Sequence, residues 1–361
     1  MKKRTRRALI IAGSVAGAAA LCAAAFAVYS SVQMSKIPDM TFSECLEYTT
    51  GGNKNAVITV GTISGGKASW TVYGQDGKPL PQELHTYEAG SLTKTFTAAL
   101  TEKAAQEGLL SLDAPLNSYL SLPEKAHYPD IRSLLTHTSG YSAYYYESPM
   151  TGNFFSGANS FRGIGDSMVL DRLGKVDITP GQHGFDYSNF GYAALGLVLE
   201  NVYQTEFTRL MNDFCAEMGL NNTHITECSG DLGEMWEWEP GDTYLAAGGL
   251  VTDIEDMLKY AQLCLDGEGA LGECQKPLAA INAASESYKS MGIRMDDIGM
   301  AWLIDRENGF IWHNGGTGSY NSYLGFSPEK GTAVVILSNL APGERIPATV
   351  MGAKLLKEIS D

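Results

Sequence analysis

Ser91 and Lys94 stand three residues apart at the head of an otherwise apolar stretch, YEAGSLTKTFTAAL, residues 87–100. A serine hydroxyl is a poor nucleophile at neutral pH and needs a base within hydrogen-bond reach, together with donors placed for the oxyanion. In a helix, residues three apart share a face, so this spacing sets an amine beside a hydroxyl. A lysine desolvated in a cleft loses its proton more readily and can accept the one on serine. A serine at a helix N-terminus also gains from the positive end of the dipole. Taken alone, Ser-x-x-Lys is equally an ordinary helix start.

Two further stretches could complete such a site. In FDYSNFGYAALG, Tyr187 and Asn189 are two apart in a loop with Gly181, Gly184 and Gly191, just before a new helical pattern. A tyrosine relays protons and an asparagine amide can hold a lysine or an acyl amide, although a locally packed turn has the same composition. In WHNGGTGSYNSYLGF, His313 ends a strand-like run and Gly315, Gly316 and Gly318 follow. Glycines there let a substrate lie against backbone N–H groups. A glycine-rich hairpin corner with a surface histidine is the plainer alternative.

Taken together and in this order, the three stretches resemble the serine β-lactamase and penicillin-binding protein superfamily, whose motifs are Ser-x-x-Lys, Tyr-x-Asn and Lys-Thr-Gly. GLLSLDAPLNSYL, IRSLLTHTSGY, PGQHGFDYSNFGYAALG and AAGGLVTDIEDM are similar to the branch with class C β-lactamases, DD-peptidases and related esterases, over about residues 45–358. The resemblance implies Ser91 as the acylated nucleophile, Lys94 as its base, Tyr187 as the relay to the leaving group, and Asn189 as a contact to Lys94 and the acyl amide. It implies an oxyanion hole from the backbone N–H groups of Ser91 and Gly316, with Asn314, Gly315, Thr317 and Tyr144 lining the substrate. The expected activity is that of an extracytoplasmic serine hydrolase, a DD-carboxypeptidase or peptidase-like enzyme or a carboxylesterase. A class C-like β-lactamase is the alternative, and a membrane-tethered penicillin-binding or sensor module without turnover is a third reading. His313 stands where β-lactamases carry lysine. A histidine near its ordinary pKa would hold a substrate carboxylate only partly at pH 7. The implied substrates are small molecules or peptides, with no cofactor and no metal.

The elements that must position these residues read as α+β: an antiparallel sheet from N- and C-terminal strands, flanked by helices, with a mainly helical insert at about 115–245. Residues 56–73 suggest a hairpin around Ser64-Gly65-Gly66, and 91–109 a helix with Phe96, Leu100 and Ala104 on one stripe. Residues 253–266 suggest a helix capped by Asp253. Further hairpins are expected to turn at Glu307-Asn308-Gly309 and at Pro328 to Gly331, with a last helix from about 343. His137 in THTSGY reads as part of a structural turn. Tyr141, Tyr144, Tyr145 and Tyr146 form an aromatic loop, Trp236 and Trp238 are candidate cleft walls, and Trp302 belongs to the core.

A net charge of -15 argues against nucleic acid as a partner. The charge is uneven: Lys2, Lys3, Arg4, Arg6 and Arg7 open the chain, and an apolar run follows over residues 8–29. That pattern predicts a membrane anchor or a cleaved signal over residues 1–33, the length favouring the anchor, with a hydrolase domain at 34–361 outside the cytoplasm. Ala25-Phe26-Ala27 has the form of a cleavage site. Of the remaining cysteines, Cys45, Cys215, Cys228, Cys264 and Cys274, the pair Cys264 and Cys274 flanks a loop-like stretch and could bridge it; simple burial is the other reading.

Overall fold

The computed structural model describes residues 35–225 and 230–361. The anchor or signal expected over residues 1–33, including its apolar run at 8–29, lies outside them, as does Cys228. Among the described residues no helix is long and apolar enough to cross a membrane.

Residues from Phe42 onward form one compact unit built on an eight-stranded antiparallel sheet. Its strands are β1 (Ile58–Ser64), β2 (Lys67–Tyr73), β6 (Ala279–Ala280), β7 (Asp297–Ile298), β8 (Leu303–Asp305), β9 (Phe310–Gly316), β10 (Asn321–Ser327) and β11 (Thr332–Ser338). The order β2-β1-β11-β10-β9-β8-β7-β6 joins the N-terminal hairpin to the C-terminal strands through β1 and β11. A smaller sheet is made of β3 (Tyr87–Glu88), β4 (His224–Ile225) and β5 (Leu250–Thr252), in the order β3-β5-β4.

The turns form where the chain offers residues that tolerate positive φ. Ser64 pairs with Lys67 across Gly65 and Gly66, both left-handed at 57° and 72°, which matches the twist of a two-residue hairpin. Gly309 ends the β8–β9 turn and Gly331 the β10–β11 turn, at φ 69° and 63°.

Register decides which face each strand residue presents, because cross-strand partners share a face. Gly61, Val335, Leu324 and His313 form one row. A Cβ on Gly61 would meet Ile254, so this face packs under the helix Ile254–Asp266, whose cap is the Asp253 carboxylate accepting from Asp256 N at 2.9 Å. The neighbouring row of Val60, Ile336, Tyr323 and Asn314 faces the other way, where Tyr323 packs against Gly352 of the C-terminal helix Ala348–Ser360. That helix starts at 348 rather than 343, since Pro347 is its cap and lies in extended backbone.

The helix Thr93–Gln106 departs most from its reading as a one-striped helix. Besides Phe96, Leu100 and Ala104, it buries Thr93, Lys94, Thr95, Thr97, Thr101 and Glu102. Its threonines satisfy themselves: Thr93 donates to Gly90 O, Thr95 to Leu92 O, Thr101 to Thr97 O, and Thr97 to Ala246 O, each at 2.7–2.8 Å. A helix buried all round is a core helix, whatever its polarity suggests. It ends at Gly108, φ 76°, where Leu109 N bonds Ala104 O and Gly108 N bonds Ala105 O.

Cys264 and Cys274 do not bridge. Both are buried free thiols, as are Cys45 and Cys215, and burial pushes the Cys45 thiol up to about 11. Packing into the core uses them as small apolar residues. Trp302 is fully buried, as expected.

Candidate active site

Ser91 does not sit inside the regular helix but in the 3-10 turn Gly90–Leu92 that leads into it. Gly90 makes that turn possible at φ 53°. One turn later Lys94 is completely buried, and its Nζ lies 3.1 Å from Ser91 Oγ, 2.7 Å from Asn189 Oδ1 and 2.7 Å from Ala247 O. Desolvation holds this amine well below the ordinary lysine range.

A neutral amine has two hydrogens and one lone pair. Ala247 O can only accept, and Asn189 Oδ1 accepts as placed, so these two take both hydrogens. The lone pair is then left for Ser91 Oγ. In that neutral form the amine can serve as a base toward Ser91, whereas a charged ammonium would donate to all three oxygens.

Asn189 opens the helix Asn189–Tyr203, whose cap Ser188 accepts from Gly191 N at 2.9 Å and donates to Ser142 O at 2.7 Å. Asn189 N and Phe190 N both bond Ala143 O, pinning the tyrosine-rich loop to the same helix start. Tyr187 comes just before this cap. Its ring lies 4.9 Å from Lys94 Nζ and 6.3 Å, centre to centre, from the His313 ring. Burial pushes its phenol far above the ordinary value, and a hydrogen bond with Ser91 pulls back only partly.

His313 closes the other side. It is 1% exposed, and burial, the largest cause, pulls its pKa below the ordinary histidine value. Burial thus disfavours the charged imidazole that the sequence reading allows at pH 7. Its Nδ1 lies 2.7 Å from Asn314 O, an acceptor only, so Nδ1 carries the hydrogen and Nε2 the lone pair.

The end of β9 is pressed onto the Ser91 turn. A Cβ on Gly315 would collide with Ala89 O and Ser322 Oγ and stand 2.9 Å from Ser91 N; one on Gly90 would stand 2.6 Å from Gly316 N. These glycines bring the Ser91 and Gly316 backbones together. Asn314 is half-buried beside them, in the row of the opposite face. Thr317 is 7% exposed and its hydroxyl donates to Glu88 Oε2 at 2.5 Å. Tyr144 is 55% exposed, with its ring 6.2 Å from Phe161, while Tyr141 is buried and Tyr145 packs on Phe190. Trp236 lies between Phe161, at 6.3 Å, and Gly318, where an added Cβ would be 2.8 Å from its Nε1.

Glu88 was not anticipated. This buried carboxylate, three residues before Ser91, accepts from Trp236 N at 2.8 Å through Oε1 and from Thr317 through Oε2. It ties the strand before Ser91, the Trp236 loop and the segment after Gly316 to one point. Burial raises its carboxyl above the usual range, with both bonds pulling back. Its setting, HTYEAG, is too polar for one carboxylate to stand out as a signal. The Ala247 carbonyl, a backbone group, left none either.

Residues 53–353 match the family described as Beta-lactamase. The chain belongs to the β-lactamase family. Among curated relatives of this family member, a β-lactamase of Pseudomonas fluorescens is 24% identical over 330 residues, covering 79% of this chain and 88% of that one. Protein flp of Staphylococcus aureus (strain NCTC 8325 / PS 47) is 23% identical over 73% of this chain, which spans 54% of flp, about half its length. In fold, the β-lactamase-family chain is similar to a β-lactamase/D-alanine carboxypeptidase of Yersinia pestis, with a TM-score of 0.69, 19% identity, and coverage of 91% of this chain and 98% of the other. It is likewise similar to an octameric penicillin-binding protein homologue of Pyrococcus abyssi, with a TM-score of 0.66, 20% identity, and coverage of 84% and 73%.

Proposed function

We propose that this β-lactamase-family protein is a serine hydrolase that works through an acyl-enzyme on Ser91. The observation that carries the reading is the Lys94 amine, buried, with two acceptors at 2.7 Å and Ser91 Oγ at 3.1 Å. Lys94 takes the Ser91 proton as Oγ attacks a carbonyl carbon. The oxyanion forms against the backbone N–H groups of Ser91 and Gly316. Tyr187, held protonated by its burial, relays the proton from Lys94 to the leaving group as the intermediate collapses. Water then attacks the acyl-enzyme, with the same relay run backwards, and releases the acid.

Between a peptide ending in a carboxylate and an ester without one, His313 favours the ester. At the position where β-lactamases carry a lysine, an imidazole whose charged form is disfavoured by burial is a poorer partner for a carboxylate. The same reasoning counts against efficient β-lactam hydrolysis. Likeness to the Yersinia pestis β-lactamase/D-alanine carboxypeptidase keeps the peptide reading as the second choice.

The test uses the purified full-length chain and its Ser91→Ala variant with a fluorescent fluorophosphonate, a fluorescent penicillin, 4-nitrophenyl acetate and a D-Ala-D-Ala peptide. Wild type is expected to take the fluorophosphonate at Ser91 and to turn over the ester fastest, and Ser91→Ala to do neither. Absence of labelling and of turnover in wild type would sink the hydrolase reading. Faster peptide than ester cleavage would replace esterase by carboxypeptidase, and rapid loss of the penicillin would restore the β-lactamase.

The basic opening and the apolar run over residues 8–29 further support a domain held outside the cytoplasm at the membrane. Protease added to intact, wall-stripped cells should then degrade the domain; full protection would refute this location.

A further inference from the structure

His137 contributes to both sides of Tyr187. Its backbone carbonyl accepts from Asp186 N at 2.9 Å, and its ring Nδ1 accepts from Ser188 N at 3.0 Å. The residue in between is Tyr187, whose ring lies on the imidazole at 4.4 Å between centres. The same imidazole is 5.0 Å from the Tyr192 ring and 5.8 Å, edge-on, from Phe185. One residue therefore holds the backbone before Tyr187 through its carbonyl and the backbone after it through its ring, and that ring also backs the tyrosine.

The arrangement is maintained at a cost. His137 has φ 55°, in the left-handed region that disfavours residues with a Cβ, and its buried Nε2 has no hydrogen-bond partner among the described residues. Because Nδ1 receives an N–H, it must hold the lone pair, so the hydrogen is on Nε2. A buried unpaired donor and a left-handed backbone at one residue are tolerated where surrounding structure imposes them, and such strain concentrates at functional sites.

We propose that His137 is a positioning residue for Tyr187, holding the relay by receiving the N–H groups of Asp186 and Ser188. The inference rests on the acyl-enzyme reading, in which Tyr187 moves the proton. It goes beyond a structural turn because it names the atom that does the work, Nδ1, and the group that depends on it, the Tyr187 hydroxyl.

Two substitutions separate the acceptor from the backbone. His137→Asn keeps an acceptor at the Nδ1 position and tolerates positive φ; His137→Gly tolerates positive φ but offers no acceptor. Both are made in the full-length chain, in wild-type and Tyr187→Phe backgrounds, and read with 4-nitrophenyl acetate, with thermal melting as the folding check. Loss of orientation should lower kcat of His137→Gly by about 10–100-fold with KM within about threefold. His137→Asn should stay within about threefold of wild type. In the Tyr187→Phe background the additional loss on His137→Gly should shrink to under about threefold, because residues acting through one another are not additive.

An equal kcat for the Asn and Gly variants, or a His137→Gly loss undiminished in the Tyr187→Phe background, overturns the proposal. So does a Tyr187→Phe variant as fast as wild type. Histidine 15N spectra of the wild-type chain test it without any variant: His137 should show a bare Nδ1 and a protonated Nε2, and the opposite tautomer overturns it. A wild type that neither turns over the ester nor takes fluorophosphonate brings down the acyl-enzyme reading, and this inference with it. A wild type that reacts normally while His137→Gly keeps full speed brings down this inference alone.

Discussion

Lys94→Met should reduce kcat for 4-nitrophenyl acetate by about 10²–10⁴-fold, the span general base catalysis supplies, and Lys94→Arg should not rescue it. Methionine fills much of the same volume but offers no lone pair to Ser91 Oγ. Arginine keeps its proton at any working pH and so cannot accept another. The pH dependence has a definite sign. Burial depresses the Lys94 pKa well below its ordinary value of 10.5, so the neutral, active amine is present above the folded value and activity falls as pH drops through it. Stability follows the same group. Between the folded and unfolded values the unfolded chain binds the extra proton, so this contribution to wild-type stability rises with pH and is lost toward acid. Lys94→Met should remove that part of the slope. A methionine variant with an unchanged acid limb of kcat, or an arginine variant near wild-type activity, would show that Lys94 is not the base.

Gly315→Ala carries the second large effect, on folding and catalysis together. The added Cβ would meet Ala89 O and Ser322 Oγ and crowd Ser91 N at 2.9 Å. These are backbone and hydrogen-bonded atoms, with Ser322 Oγ already donating to Ala89 O at 2.7 Å, so relief requires the β9 end to move away from the Ser91 turn. Overpacking of this kind costs about 1–3 kcal/mol, and withdrawing one oxyanion donor costs about 10²–10³-fold in kcat. Gly343→Ala is the matched control, since its Cβ would meet open space. Thermal melting and ester kinetics on both variants decide the matter: wild-type behaviour of Gly315→Ala would mean that the two backbones need not approach so closely.

The sequence made local features legible and hid those that depend on burial. Ser91 and Lys94 could be paired from spacing alone, and Gly65-Gly66 announced its hairpin, because each is decided within a few residues. Tyr187, Asn189 and His313 were located by motif order, yet the burial of His313 was not foreseen. It depends on tertiary packing around β9, whose end meets the Ser91 turn, and no local pattern encodes that. Thr317 was expected to face substrate, and its hydroxyl serves Glu88, a partner 229 residues away. The Thr93–Gln106 helix was read as one-striped because its threonines count as polar; in the fold they bond to nearby carbonyls and go inside. Cys264 lies in the helix Ile254–Asp266 and Cys274 ends the short helix Gly269–Cys274, so the stretch between them is largely helical, and their thiols remain separate.

The burial of that central helix also bears on how the protein can change over generations. Thr93, Lys94, Thr95, Phe96, Thr97 and their neighbours fill the interior beside the proposed nucleophile, so a replacement there would disturb the core and, under that proposal, the chemistry as well. The Tyr144 loop and the Trp236 loop are more exposed, and they are tied to the site through backbone groups, which constrain their side chains less. Inherited variation should therefore accumulate at the rim, letting descendants trade one acyl preference for another while the serine, its amine and the helix that joins them pass on unaltered.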